Sequence, residues 1–276
     1  MALTKDQIEA YRNDGYLLVP GVFTAEEVDR LRKLIYRLYR KFQPDDASLD
    51  ALQEPWNDPE FDRKMIDLRS REPKTFGALY DCGQSSVDVV RFVTDPRVAQ
   101  IAADCLGESV EALSYSGIML RMDPPKDRRN TIDWHQDRAY YPQNEDGNNG
   151  LVITVALQDI KADTGAVVIC PRSQDIGFID PVVAEKSNYE TTEQRGVPLH
   201  LIKQYAEVPA EMKKGDLGLM NMNVFHRSGV NSGSHIRYTV LCRFHRVMAD
   251  DYVPFGLLYQ FNKLLSEKIW KARKSY

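Results

Sequence analysis

The chain reads as a mainly β domain with helical decoration, and three features say so. Its 276 residues suit one large domain, because β sandwiches and barrels of this size often stand alone. From about Val110 onward, apolar and β-branched runs alternate with Gly, Asn and Asp, the texture of short strands in a sandwich or barrel. Before that point the apolar residues fall at helical spacing behind capping sequences. No internal repeat or low-complexity linker interrupts the chain. A single domain over 1–276 is therefore expected, with a mostly helical part over 1–109, a β core over 110–247 and a C-terminal helix over 248–276.

Thr4-Lys5-Asp6-Gln7 is a capping-box pattern, in which the Thr hydroxyl and the Gln side chain satisfy each other's backbone N–H groups. A short helix follows, ending near Asn13-Asp14-Gly15. Tyr16 to Val19 is a short strand closed by Pro20-Gly21. Thr24-Ala25-Glu26-Glu27 is a second capping box. Val28, Leu31, Leu34, Ile35, Leu38, Tyr39 and Phe42 then recur at helical spacing, so this helix lays one face on a core. Residues 44–80, rich in Pro and Asp, read as irregular. Asp95-Pro96 starts a further helix, with Pro where its missing N–H costs nothing, and Gly107 stops it. Strands are expected over 110–121, 151–159, 165–170, 217–220, 223–226 and 236–246. The break 142–150 is a turn or loop. The stretch 171–197 is long for a connection, as lids and binding loops are. Residues 255–274 have an amphipathic pattern, and the basic Lys268, Lys271, Arg273 and Lys274 suit the end of a helix.

Composition excludes several function classes. The chain is 43% hydrophobic and 28% charged with a net charge of -4, so it lacks the basic footprint of a nucleic-acid binder. No apolar run reaches membrane-spanning length, and MALTKDQIEAY lacks the apolar core of a signal peptide. The expectation is a cytoplasmic protein with no membrane or nucleic-acid partner, acting on a small molecule. Cys82, Cys105, Cys170 and Cys242 are widely spaced with no CxxC, which suits reduced thiols. Nothing in the sequence decides an oligomeric state.

The chemistry begins at Thr131-Ile132-Asp133-Trp134-His135-Gln136-Asp137. The chain has five histidines, and this one stands two residues before an aspartate. In extended backbone, residues i and i+2 point to one face. His135 and Asp137 would then chelate a divalent metal if a third ligand came from elsewhere; a solvated pair in a polar loop fits the same text. His200, His226, His235 and His245 are the candidates for the third position. His226 ends an apolar segment just before the turn Asn231-Ser232-Gly233, where rigid strand ends meet an open mouth. Two histidines and one carboxylate on one face of an octahedron suit non-haem Fe(II), with positions left for a cosubstrate and O2; zinc accepts such ligands too. Eleven residues past His226, Arg237 opens a strong strand. An inward Arg is costly without an anion, and its planar fork suits a carboxylate. A protein carboxylate or solvent would satisfy it equally.

The HxD text, the distal His and the Arg eleven residues later resemble the Fe(II)/2-oxoglutarate oxygenases, and in particular the phytanoyl-CoA dioxygenase family. IEAYRNDGYLLVPGVFTAEEVDRLR is similar to that family's opening and WHQD to its metal text. TGAVVICPRSQD is similar to its segment leading into a Pro-Gly-Ser-His turn, and HRSGVNSGSHIR to its distal motif. The likeness runs from about residue 4 to 247. Arg172 and Gln174 depart from it, standing where the family often has Gly and His. The resemblance implies a double-stranded β-helix, a cupin-like jelly-roll barrel, with Fe(II) at one mouth. It implies that His135, Asp137 and His226 hold the metal and are catalytic. It implies that Arg237, helped by Ser228, pairs with the far carboxylate of 2-oxoglutarate. More loosely, it implies that Met119, Thr154 and Gln136 belong to the cosubstrate pocket. O2 would be the second cosubstrate, with succinate and CO2 released. Relatives that halogenate carry Gly or Ala at the carboxylate position, so Asp137 points to hydroxylation, or to a related desaturation or ring closure.

Lys126, Arg128, Arg129, Trp134, Arg138, Tyr140 and Tyr141 surround the metal text and are candidate walls for a small polar biosynthetic substrate. Loop variation sets the substrate on such folds, so the family does not name it. Two rivals stand beside this reading. One is a catalytically silent relative that only binds metal or ligand, which the intact ligand set speaks against. The other is a zinc-dependent hydrolase on a β barrel, which needs a general base beside a metal-bound water and has no HExxH-like text here.

Overall fold

The structure is a computed structural model, and it describes residues 1–127, 131–183 and 194–253. Both capping boxes form. In α1 (Lys5–Asp14) the Thr4 hydroxyl accepts from the Gln7 N–H at 3.2 Å and the Gln7 side chain accepts from the Thr4 N–H at 2.9 Å. Gly15, at φ 75°, ends the helix. After β1 (Tyr16–Val19), α2 (Ala25–Phe42) is capped in the same way by Thr24 and Glu27. It buries Val28, Leu31, Ile35 and Tyr39, and each aliphatic of that size is worth about 1.5–3 kcal/mol when fully buried.

The region expected to be irregular over 44–80 is corrected by two helices, α3 (Pro59–Arg71) and α4 (Pro73–Gln84). Its Pro and Asp residues start helices instead of breaking them. Asp58 accepts from the Glu60 N–H at 2.8 Å, and Pro59 takes the first helical position, both strong start signals. α3 then buries Phe61, Met65 and Leu68. α5 (Val87–Val93) and α6 (Pro96–Leu106) complete the helical part, and Gly107 ends α6 at φ 64° as expected.

The β part comprises β2 (Leu113–Asp123), β3 (Gly150–Ala156), β4 (Val168–Ile169), β5 (Val182–Val183), β6 (Arg195–Gly196), the short helix α7 (Leu199–Ile202), β7 (Val208–Pro209), β8 (Leu217–Asn221), β9 (His226–Arg227) and β10 (Arg237–Arg246). One antiparallel sheet has the order β1-β8-β3-β10-β2, a second the order β7-β4-β9, and β5 pairs with β6. The segment around His135 joins β9 through a bridge, with the His135 and His226 backbones exchanging hydrogen bonds of 2.9 and 3.1 Å. The chain therefore crosses between the sheets: β2, then His135, then β3, β4, β7, β8, β9 and β10. That shuttling is the jelly-roll layout. Among the described residues the two sheets face each other without closing into a continuous barrel.

Three expected strands are shorter than read, and the one expected over 151–159 ends at Ala156. The segment 165–170 keeps only Val168–Ile169. The segment 223–226 is a turn up to His226: the Asn221 side chain accepts the Asn223 N–H at 2.8 Å, an Asx closure that competes with a ladder.

Strand alternation divides the core. Leu151, Ile153 and Val155 of β3 and Tyr238, Val240, Cys242 and Phe244 of β10 join the cluster buried with α2, α3, α4 and α6. Val152 and Met220 face the other way and pack with Ile169 and Val224 between the sheets. By the same two-residue period, β10 turns Arg237, Thr239, Leu241, Arg243 and His245 inward, all buried. Apart from Leu241 this inward row is polar, unlike the hydrophobic core on the other face of β10. Cys105, Cys170 and Cys242 are buried, Cys82 is exposed, and none is in a disulfide. No helix among the described residues is long and apolar enough to cross a membrane. The C-terminal helix expected over 248–276 lies outside the described residues beyond Val253, as do Arg128, Arg129 and the 184–193 part of the long connection.

Candidate metal centre and cosubstrate pocket

His135, Asp137 and His226 come together as the described residues' one group of metal-ligating side chains, with one donor atom of each within 4.8 Å of the others. The Asp137 Oδ1 lies 3.3 Å from His135 Nε2 and 3.5 Å from His226 Nε2. All three residues are buried. Regular strand geometry is not what aligns the first pair: Gln136 is extended, at φ -113° and ψ 133°, but Asp137 already opens a 3-10 turn. One extended residue is enough to place His135 and Asp137 on one face.

Each histidine is fixed through its other nitrogen. His135 Nδ1 lies 2.7 Å from the Asp133 carbonyl and His226 Nδ1 lies 3.0 Å from the Val224 carbonyl. Those contacts place the proton on Nδ1 and leave the Nε2 lone pairs directed at the shared centre, the usual support for metal-binding imidazoles. Burial, followed by the neighbouring His226, lowers the His135 pKa. A neutral imidazole is the form that binds a metal. Burial would raise the Asp137 pKa, but Arg243 and the two histidines reverse this and hold the carboxyl well below the usual range. The donor set fits a divalent metal with open positions.

Asp137 Oδ2 is taken by Arg243, whose Nε and Nη2 approach at 2.8 and 2.7 Å. Sequence reading passed over Arg243, yet a signal was present. It lies six residues past Arg237 on one strand, so a face that turns Arg237 inward turns Arg243 inward too.

A cavity of about 330 Å3 is lined by Arg121, Asp123, Lys126, Asp133, Arg227, Ser228 and Arg237, among others, and so reaches the chain neighbours of His135 and His226. Arg237 is buried. Its Nε and Nη2 lie 3.2 and 2.7 Å from Asp123 Oδ2, and its Nη1 donates to the Gly165 carbonyl. Arg121 reaches the same carboxylate at 3.0 and 3.3 Å. A protein carboxylate as the partner of Arg237, raised from the sequence as an alternative, is thus present while the guanidinium still lines the cavity. Asp123 was not singled out in the sequence. Ser228 accepts from the Ile132 N–H at 3.1 Å and returns its own N–H to the Ile132 carbonyl at 2.9 Å, tying the metal strand to β9 at the cavity wall.

A family model described as phytanoyl-CoA dioxygenase matches residues 11–239. The chain belongs to the phytanoyl-CoA dioxygenase family. Ectoine dioxygenase of Bordetella bronchiseptica is 24% identical over 241 residues, covering 83% of this chain and 71% of that protein. The peroxisomal phytanoyl-CoA dioxygenase of Bos taurus is 22% identical, covering 88% and 68%. Among solved structures, the epimerase SnoN in complex with Fe3+, alpha ketoglutarate and nogalamycin RO superposes with a TM-score of 0.58 at 20% identity, covering 92% of this chain and 88% of that one. EctD from S. alaskensis with 2-oxoglutarate and 5-hydroxyectoine gives 0.56 at 18% identity, covering 92% and 82%. These likenesses establish the jelly-roll fold.

The remaining residues singled out in this family member divide by the face they occupy. Met119, whose sulfur lies 3.9 Å from Arg243 Nη1, and the half-buried Thr154, on the inward side of β3 opposite Leu241, belong to the inner wall. Gln136 points away from the ligands: it donates to the Gly177 and Asn223 carbonyls at 2.8 and 2.7 Å and accepts from the Ile179 N–H at 2.8 Å. Trp134 also turns outward, packing with Cys170, Ile202 and Phe225 under Arg227. Tyr140 stands edge-on to His135 at 5.6 Å, and its hydroxyl accepts the Arg195 N–H at 2.8 Å. Tyr141 lies against Arg243, with 4.0 Å from guanidinium carbon to ring centre. Arg138 covers Phe178 at 4.0 Å, and Lys126 lies on the cavity wall at φ 59°. Three histidines stay apart: His200 is exposed, His235 faces Asp62 at 3.3 Å, and His245 is buried between Ser116 and Asn144. The departures at Arg172 and Gln174 face the N-terminal helix: Arg172 adopts φ 67° and gives its N–H to Asp14, and Gln174 donates to the Arg12 and Asn13 carbonyls.

Proposed function

We propose that this chain, acting as one unit, hydroxylates an unactivated C–H bond of a small polar biosynthetic molecule, as an iron(II)- and 2-oxoglutarate-dependent dioxygenase. The observation that carries this reading is the buried His135–Asp137–His226 set, with both Nε2 atoms and one carboxylate oxygen turned to a common centre. When bound there, iron(II) with 2-oxoglutarate and O2 supplies the oxidising power, with succinate and CO2 as coproducts. Everything else falls to the side chains. Asp133 and Val224 carbonyls orient the imidazoles. Arg237 and Ser228 line the cavity and suit the far carboxylate of a dicarboxylic cosubstrate. Burial of the ligands keeps bulk water away from them.

The carboxylate ligand Asp137 supports oxygen insertion over halogen transfer, because it fills the position a halide would need. The substrate is assigned to the side of Tyr140 and Arg138, where Arg195 of β6 donates to the Ala139 carbonyl at 2.5 Å. Aromatic walls with a few placed polar groups suit a small polar ligand. The test is succinate release by the iron-loaded protein across a panel of small polar metabolites, each oxidised product identified by mass. A substrate that gains one oxygen atom in step with succinate supports the proposal. Turnover yielding only a desaturated or cyclised product would replace hydroxylation, and hydrolysis without 2-oxoglutarate consumption would contradict it.

A further inference from the structure

We propose that Arg243 is a positioning residue that holds Asp137 as a one-oxygen ligand and so keeps open the metal position a cosubstrate needs. This rests on the iron and 2-oxoglutarate reading above. Both Arg243 contacts, 2.8 and 2.7 Å, fall on Oδ2, while Oδ1 faces the two imidazole Nε2 atoms. The carboxylate cannot rotate to bring Oδ2 to the metal side without breaking both.

Arg243 is itself held by its neighbours. Its Nη1 donates to the Gly117 carbonyl at 2.9 Å and lies 3.9 Å from the Met119 sulfur, and the Tyr141 ring centre lies 4.0 Å from the guanidinium carbon. The strand is shaped for this. β2 and β10 pair Leu241 with Met119 and then Arg243 with Ser116, so Gly117 and Ile118 together stand opposite Cys242. That is a β-bulge, which re-aims the backbone locally. Gly117 sits at φ 58°, and a Cβ there would lie 2.5 Å from the Tyr141 ring. Only glycine lets the carbonyl turn to the guanidinium while the ring closes over it.

The consequence is a matter of coordination number. Three protein donors leave three octahedral positions. A chelating cosubstrate fills two of these. A second Asp137 oxygen would take the last or displace one arm of the cosubstrate. Partners of metal ligands commonly set metal affinity or activity by about 10- to 100-fold.

The test uses the full chain loaded with Mn(II), in wild type, Arg243→Met and Arg243→Lys. Met retains the apolar stem; Lys retains the charge and a single donor without the fork. Infrared difference spectra, metal-loaded minus metal-free, report the separation of the two carboxylate stretches, wide for one-oxygen and narrow for two-oxygen ligation. Calorimetry then gives 2-oxoglutarate affinity of each loaded protein. The wide separation is expected in wild type and the narrow one in Arg243→Met, with 2-oxoglutarate bound more weakly in that variant. Arg243→Lys is expected to fall between. A folded Arg243→Met with the wild-type spectrum and wild-type affinity overturns the proposal alone. If the Met variant does not fold, an unchanged affinity in Arg243→Lys overturns it. A role in stability only would lower the melting temperature and leave both readouts unmoved. A wild-type protein that binds no metal overturns the iron reading and this proposal together.

Discussion

Replacing Arg237 by Ala tests the proposed cosubstrate contact separately from the metal centre. The side chain is buried and lines a cavity of about 330 Å3 together with Ser228. A charge-assisted hydrogen-bonded pair is worth about 1.5–3 kcal/mol net, and about 1.4 kcal/mol corresponds to tenfold in affinity. Losing it should therefore weaken 2-oxoglutarate binding by roughly 10- to 150-fold. The fold should survive. Asp123 keeps Arg121 at 3.0 and 3.3 Å, so no carboxylate is stranded, and the cost stays below the about 3–5 kcal/mol of breaking an isolated buried pair. Arg237→Lys keeps the charge and loses the planar fork, and an intermediate affinity is expected. The assay is anaerobic calorimetry of 2-oxoglutarate into iron(II)-loaded protein, with metal affinity and circular dichroism as controls. A folded Arg237→Ala that retains iron and binds 2-oxoglutarate like wild type would refute the reasoning and leave Arg237 as the structural partner of Asp123.

Three further outcomes follow from the same geometry. Asp137→Ala strands the Arg243 guanidinium, so it should lose about 3–5 kcal/mol of stability along with all 2-oxoglutarate-dependent oxidation; denaturant titration beside a succinate assay checks both, and wild-type turnover would remove Asp137 from the ligand set. Burial and then the nearby Arg243 depress the His245 pKa to about 3, below the ordinary value of about 6.5. The unfolded chain then binds a proton that the folded one refuses. This contribution to stability is fully present above about pH 6.5 and lost as pH falls toward 3, at up to about 1.4 kcal/mol per pH unit. Thermal melts of His245→Gln should show a flatter acid limb than wild type, and parallel curves would contradict the assignment. Gly117→Ala places a Cβ at φ 58° against Tyr141 and should cost at least about 1–2 kcal/mol; an unchanged denaturation midpoint would mean that the bulge relaxes freely.

Much of the site was legible because its chemistry is local. His135 and Asp137 need only one extended residue between them, and the text itself supplies the spacing. His226 was reachable because it sits at a strand end beside a turn. The helices of 1–42 and 96–106 were equally open to reading, since caps and periodicity act within a few residues. The helices between 59 and 84 were missed because Pro and Asp were read as breakers, when Asp58-Pro59 and Pro73 occupy starting positions. The turn before His226 depends on the Asn221 side chain competing with the ladder, which apolar content does not reveal. Arg243 and Asp123 were hidden for another reason. Their partners lie 106 and 114 residues away along the chain, so only the folded register brings them to Asp137 and Arg237. Trp134 and Gln136 are neighbours of the ligands in sequence, but both side chains turn away from them, Trp134 onto Cys170 and Phe225 and Gln136 to the Gly177 and Asn223 carbonyls.

The central claim is that the His135–Asp137–His226 cluster is an iron site open to 2-oxoglutarate. The most direct measurement is an anaerobic titration of iron(II) and then 2-oxoglutarate into the metal-free protein, followed in the visible range. A weak lilac charge-transfer band that saturates at one equivalent of each, and is missing from a folded Asp137→Asn protein, is the expected result. A folded wild-type protein that gives no band, or an Asp137→Asn protein that gives the same one, would contradict it.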